Sequence, residues 1–95
     1  MLTVWKYPVS VDKFTVEMPK GARILTVQIQ GILPVMWAVV ESGNELERRM
    51  FEATRTGVTL GFQFLDYQPG IDANYIGTFQ AMDIVFHLFE LFGEE

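Results

Sequence analysis

With 95 residues, the chain has room for one hydrophobic core and is expected to form a single domain over residues 1–95. Nearly half of it is apolar and eight residues are Phe, which excludes a disordered chain, and it has no cysteine, which excludes disulfides and thiolate metal sites. The net charge is −5, and residues 57–95 carry six acids with neither Lys nor Arg, so binding of duplex nucleic acid, which needs a basic face, is not expected.

The first residues, Met1-Leu2-Thr3-Val4-Trp5-Lys6, lack the basic segment and apolar core of a signal peptide. The longest apolar runs, Ile32–Val40 and Ile84–Phe92, are interrupted by Pro34 and by His87 and Glu90, and fall short of the roughly 18–20 residues a membrane helix needs. A cytoplasmic protein without a membrane partner is the expectation. Further along, the dominant period is two, the signature of strands. Phe14, Val16 and Met18 alternate with Lys13, Thr15 and Glu17 until Pro19-Lys20-Gly21 breaks the pattern. Leu25, Val27 and Ile29 alternate with Thr26, Gln28 and Gln30, and Gly31 to Pro34 is the next turn. Val35–Val40 is apolar on both faces, as in a central strand covered on each side or on one side by a partner.

After the turn Ser42-Gly43-Asn44, the pattern over Leu46–Thr56 admits two readings. It alternates loosely, as a strand would, but Asn44 followed by Glu47 resembles a capping box, so residues 45–53 also suit a short helix. Gly57–Tyr67 is rich in β-branched and aromatic residues around Gly61, as in a strand with a bulge, and Gln68–Asn74 reads as a loop. Whether Leu60–Ala73 is a strand or a flap stays open. Tyr75–Gln80 and Ile84–Phe92 are the last expected strands, the second again apolar on both faces. About seven short strands at this spacing indicate an all-β domain, with at most one short helix, built as a compact antiparallel sandwich or barrel.

Several segments resemble a known group of short proteins. They are Trp5-Lys6-Tyr7-Pro8, Met18-Pro19-Lys20-Gly21-Ala22-Arg23-Ile24-Leu25 with Val27-Gln28, Trp37-Ala38-Val39-Val40, Tyr75-Ile76-Gly77-Thr78-Phe79-Gln80 and Val85-Phe86-His87-Leu88-Phe89-Glu90. The group occurs largely in phages and prophage regions and is catalogued as a domain of unknown function. The resemblance spans nearly the whole chain and favours the strand over the helix for Leu46–Thr56. It departs at Thr56-Gly57-Val58-Thr59, where the group usually has a Thr-Gly-His-Pro-like turn, and Leu60–Ala73 is longer and more aromatic than usual. It implies a phage origin and a β-rich fold, and no activity.

The residues that carry chemistry are few. His87 is the single histidine and shares a strand face with Val85 and Phe89. It is either a base or ligand contact, or a structural histidine donating to a backbone carbonyl. Ser10 and Ser42, the only serines, sit in expected turns, so no nucleophile–base pair is apparent. Asp66, Asp72 and Asp83 match no calcium loop, and Gly57-Val58-Thr59-Leu60-Gly61 has no following Lys, so neither a metal nor another cofactor is expected. The arginines Arg48, Arg49 and Arg55 suit bidentate binding of phosphate, and Arg23 on another strand joins either set. In a strand Arg49 and Arg55 share a face and Arg48 points away. Their competing role is cross-strand pairing with Glu47, Glu52 or the acids of the second half. Aromatic residues exceed what one small core must hold, and Trp37, Tyr67 and Tyr75 are candidate stacking surfaces.

These features point away from an enzyme and toward binding. One expectation is a homo-oligomeric phage accessory protein that sequesters a nucleotide-derived signal of host immunity. Aromatic rings and His87 would hold the base, and Arg23, Arg48, Arg49 or Arg55 the phosphates. The alternative is a protein-interaction module that inhibits a host protein or serves as a minor assembly component, with the acidic second half facing a basic partner.

Overall fold

A computed structural model describes residues 1–60 and 73–92. Seven antiparallel strands and no helix are formed among these residues: β1 Leu2–Pro8, β2 Asp12–Pro19, β3 Arg23–Gln30, β4 Leu33–Glu41, β5 Leu46–Arg55, β6 Ala73–Ala81 and β7 Ile84–Leu91. They make two sheets, one of three strands in the order β1-β4-β3 and one of four in the order β2-β5-β7-β6. The sheets are not hydrogen-bonded to each other, so the architecture is a sandwich and not a closed barrel.

Alternation decides which side chains enter the core. From the smaller sheet come Met36, Ala38 and Val40 of β4 with Val27 of β3, and from the larger come Met18, Phe51, Ala53, Phe79, Phe86 and Leu88. Phe14 stacks on Phe51 at 5.5 Å across the β2–β5 register, and Phe79 on Phe86 at 5.3 Å across β6–β7. Each fully buried large side chain contributes roughly 1.5–3 kcal/mol over its exposed state, and Phe51, Met18, Met36 and Leu88 are the largest of them.

The strands apolar on both faces, β4 and β7, are both interior to their sheets. On the outer side of β4, the Lys6 ammonium lies 6.0 Å over the Trp37 ring and donates to Gln30 Oε1 at 2.6 Å.

The structure bears out the favoured strand over Leu46–Thr56, adds one strand and corrects one expectation. Residues 46–55 pair with β2 and β7 as a strand, because Phe51 and Ala53 share a parity that fills the core; this excludes a helix there. A strand forms over Leu2–Pro8, where none was assigned. Of the strand expected over Gly57–Tyr67, Gly57–Leu60 form a turn and its exit, and 61–67 lie outside the described residues, as does most of the 60–73 segment.

Because every pairing is antiparallel, the connections sort to two ends. Val9–Val11, Gly31-Ile32, Thr56–Leu60 and Met82-Asp83 meet at one end, and Lys20–Ala22 and Ser42–Glu45 at the other. Among the described residues, the two sheets approach most closely where β6 lies along β3. There Gly77, next to a register shift in β6, faces Val27: a Cβ on Gly77 would stand 2.8 Å from Val27 Cγ1. Val27 is stiff about χ1 and cannot yield cheaply. Gly77→Ala is therefore expected to destabilise the fold by about 1–3 kcal/mol, read by urea denaturation, and less when Val27 is also changed to Ala. Equal costs in both backgrounds would place the constraint elsewhere.

Candidate functional site

At the end where β2–β3 and β4–β5 turn, two opposite charges stand on core-facing positions of neighbouring strands. Arg49 of β5 has the same parity as Phe51, and Glu90 of β7, directly opposite Phe51, has the parity of Phe86 and Leu88. Diagonal cross-strand neighbours are within reach of long side chains. Arg49 Nε–H donates to Glu90 Oε2 at 2.6 Å and Nη2–H to Glu90 Oε1 at 3.0 Å, a bidentate pair. Arg49 Nη1–H donates to the Ala22 carbonyl at 2.6 Å, and Glu47 Oε2 lies 3.8 Å from Nη1. Side-chain exposure is 16% for Arg49 and 7% for Glu90. Hydrogen bonding to Glu90 raises the Arg49 pKa above its ordinary value; desolvation opposes this, and the charges of Glu90, Glu47 and Tyr7 reinforce it.

The clamp reaches the third layer of contacts through the β2–β3 turn. Gly21 N–H donates to Glu47 Oε2, Asn44 Nδ2–H to the Lys20 carbonyl, and Lys20 Nζ pairs with Glu45, so this turn is tied to the β4–β5 turn beside it. Tyr7 of β1 faces the same region. Its hydroxyl is buried without a hydrogen-bond partner among the described residues, and burial pushes its pKa above the ordinary phenol value while the Arg49 charge pulls it down.

A cleft of about 820 Å³ opens over this clamp. That is within the range of small-ligand sites. Arg23, Arg48 and Arg49 line it, with Glu47 and Glu90, and its apolar wall includes Ile24, Leu25 and Met50. Tyr75 and Asn74 of β6 close the far side. Arg23 follows Ala22 and Arg48 precedes Arg49, so the two residues that anchor the clamp also position the two arginines beside them. Neighbours on a strand point to opposite faces, and Arg23 and Arg48 remain exposed with no ion pair or hydrogen bond among the described residues.

The eight sequence candidates therefore divide. Arg23, Arg48, Arg49 and Tyr75 share the cleft, but the Arg49 guanidinium is already bound by Glu90 and Ala22, as the competing role anticipated. Arg55 shares the Arg49 face and lies at the opposite end of the sandwich, beside Asp83. Trp37 is on the outer face of the other sheet. Tyr67 lies outside the described residues. His87 is on the outer face of the larger sheet and binds hydroxyls instead of a backbone carbonyl: Nε2 lies 2.6 Å from Thr56 Oγ1 and Nδ1 3.0 Å from Thr78 Oγ1, which lies 2.5 Å from Tyr75 Oη. Glu47 and the acids of the second half, Glu90 among them, were the anticipated partners, whereas the choice of Glu90 and the Ala22 carbonyl were not. The available signal was a lone carboxylate among apolar residues, Val85 to Leu91, matched by an arginine beside Phe51.

Among the described residues, no three His, Cys, Asp or Glu side chains gather in a way that would hold a metal ion, and no helix is long and apolar enough to cross a membrane.

The fold and cleft define an antiparallel β-sandwich with an internal ion-pair clamp. A family described as Domain of unknown function (DUF7352) matches residues 1–95, and the chain belongs to that family. Neither curated proteins nor solved structures give a match.

Removing one partner of a buried pair strands the other. Arg49→Ala and Glu90→Gln are each expected to cost about 3–5 kcal/mol in chemical denaturation, and the joint replacement Arg49→Met with Glu90→Leu much less than the sum. Additive losses would show that the two side chains do not act as a pair.

Proposed function

We propose that this chain is a non-enzymatic binding protein whose cleft takes a small anionic ligand with a flat face, a nucleotide being the class that fits. The observation that carries the reading is a cleft lined by Tyr75 and by two exposed arginines, Arg23 and Arg48, which have no ion pair or hydrogen bond among the described residues. Guanidinium forks suit phosphate oxygens, and Tyr75, 53% exposed, offers a ring edge and face for a base. Arg49 is the support of the site and not its phosphate contact. His87 is held between the hydroxyls of Thr56 and Thr78, and through Thr78 is linked to Tyr75 at the cleft.

The resemblance to phage and prophage proteins gives this binding a setting: an accessory protein in the host cytoplasm that sequesters a nucleotide-derived immune signal, acting as a homo-oligomer. The alternative, a protein-interaction module inhibiting a host protein or joining an assembly, rested on the acids of residues 57–95. One of these, Glu90, is engaged within the fold, which weakens that basis.

Thermal unfolding against cyclic and linear nucleotides tests the reading. A ligand at about 100 times its dissociation constant adds roughly 2.7 kcal/mol, which raises Tm by about 10 °C or more for a domain of this size. The shift is expected for at least one nucleotide and to vanish in Arg23→Ala with Arg48→Ala. No shift across the panel, or full retention in the double variant, contradicts it.

A further inference from the structure

The end of the sandwich opposite the cleft is unusual for a set of turns. Turn tips are ordinarily polar, built from Gly, Pro, Asn, Asp and Ser. Here each of the four segments at this end carries an exposed aliphatic side chain: Val11 at 55%, Ile32 at 88%, Val58 at 48% and Met82 at 89% exposure. Ile84 and Val85, which follow the Met82-Asp83 tip, are also exposed. The two turns at the cleft end are polar, Lys20-Gly21 and Ser42-Gly43-Asn44-Glu45.

Backbone strain is concentrated at the same end. The three non-glycine residues with positive φ among the described residues are Asp12, Met82 and Asp83. Met82 and Asp83 are the two central residues of the β6–β7 hairpin, at φ 51° and 64°, the pattern that Asn-Gly normally satisfies. Methionine has no local hydrogen bond to offset the left-handed conformation. The two-residue hairpin imposes this conformation, and it leaves the Met82 side chain 89% exposed at the tip.

Two observations indicate what the contact is. The surface holds both projections and a receptacle: Ile32 and Met82 are the most exposed side chains of these turns, and a depression of about 580 Å³, walled by Val58, Asp83, Ile84 and Val85, adjoins Met82. Its charges are also of both signs, Arg55 and Asp83 at the depression and Asp12 at the next turn. A patch with knob, hole, cation and anion is complementary to itself, as a two-fold interface requires. The acids at the tips disfavour an anionic lipid surface.

We infer that this apolar end is a self-association surface, on which two copies meet end to end about a two-fold axis. Met82 of each copy enters the depression of the other, and Arg55 pairs with Asp83 of the partner subunit. The surface is remote from the cleft, so the inference stands whether or not the cleft binds a nucleotide.

Sedimentation equilibrium of the full chain from about 1 to 100 µM, a range that includes weak standard-size interfaces, is the test. The wild-type chain is expected to reach a dimer and no higher state. Ile32→Ser with Met82→Asn is expected to weaken association at least tenfold while keeping Tm equal or higher, since Asn tolerates the positive φ. Arg55→Asp is expected to weaken it also, and Asp83→Arg in the same chain to restore it. A wild-type chain monomeric throughout the range overturns the proposal, as does a dimer undiminished in the Ile32/Met82 variant. A monomeric wild-type chain that co-sediments with phosphatidylcholine vesicles overturns it in favour of a lipid partner.

Discussion

The fold at the cleft end depends on one buried ion pair. Taking a guanidinium and a carboxylate into a core costs several kcal/mol each unless the geometry is good and the remaining donors are satisfied. Both conditions hold here: the pair is bidentate, the third guanidinium nitrogen is bound to the Ala22 carbonyl, and Glu47 stands nearby. The arrangement ties the β2–β3 turn to β5 and β7, which already pair within the larger sheet. An apolar pair at these positions would fill the space, but it would not hold the Ala22 carbonyl or fix the turn that carries Arg23. The clamp is therefore worth more as a positioning device than as a source of stability.

That distinction gives the sandwich two different ends. At one, charges are held by partners within the chain, and the residues adjacent to the clamp, Arg23 and Arg48, are exposed at the cleft with no ion pair or hydrogen bond among the described residues. At the other, aliphatic side chains project from strained or tight turns. Between them lies an ordinary two-sheet core, pinched where Gly77 lets β6 approach Val27. The strands transmit position from one end to the other, and the chemistry belongs to the turns and the residues beside them.

Much of the architecture was legible in the sequence. Period-two alternation located β2 and β3 to within a few residues, aromatic content located β7, and the doubly apolar run over Val35–Val40 was read as a central strand, which β4 is. The strand over Leu2–Pro8 was not legible, because an edge strand with Val4 and Trp5 exposed on opposite faces has no clean alternation. The competing helix over residues 45–53 came from a local cap signal that tertiary pairing overrode. In the site, the shared parity of Arg49 and Arg55 was correct, but parity fixes a face and not an end, and the two side chains lie at opposite ends of β5. The Arg49–Glu90 pair joins residues 41 positions apart, and such a register is set by sheet order, which local pattern does not carry.

The central claim is that Arg49 is a bound structural group while Arg23 and Arg48 are exposed and without a partner among the described residues. Proton exchange at the arginine Nε–H groups, followed by ¹⁵N-resolved NMR at neutral pH, tests it most directly. One Nε–H, assigned by its loss in Arg49→Lys, is predicted to exchange far more slowly than the rest, because it is buried and donated to Glu90. Those of Arg23 and Arg48 are predicted to exchange at the rate of a solvated arginine. An Arg49 Nε–H that exchanges as fast as theirs would contradict the account.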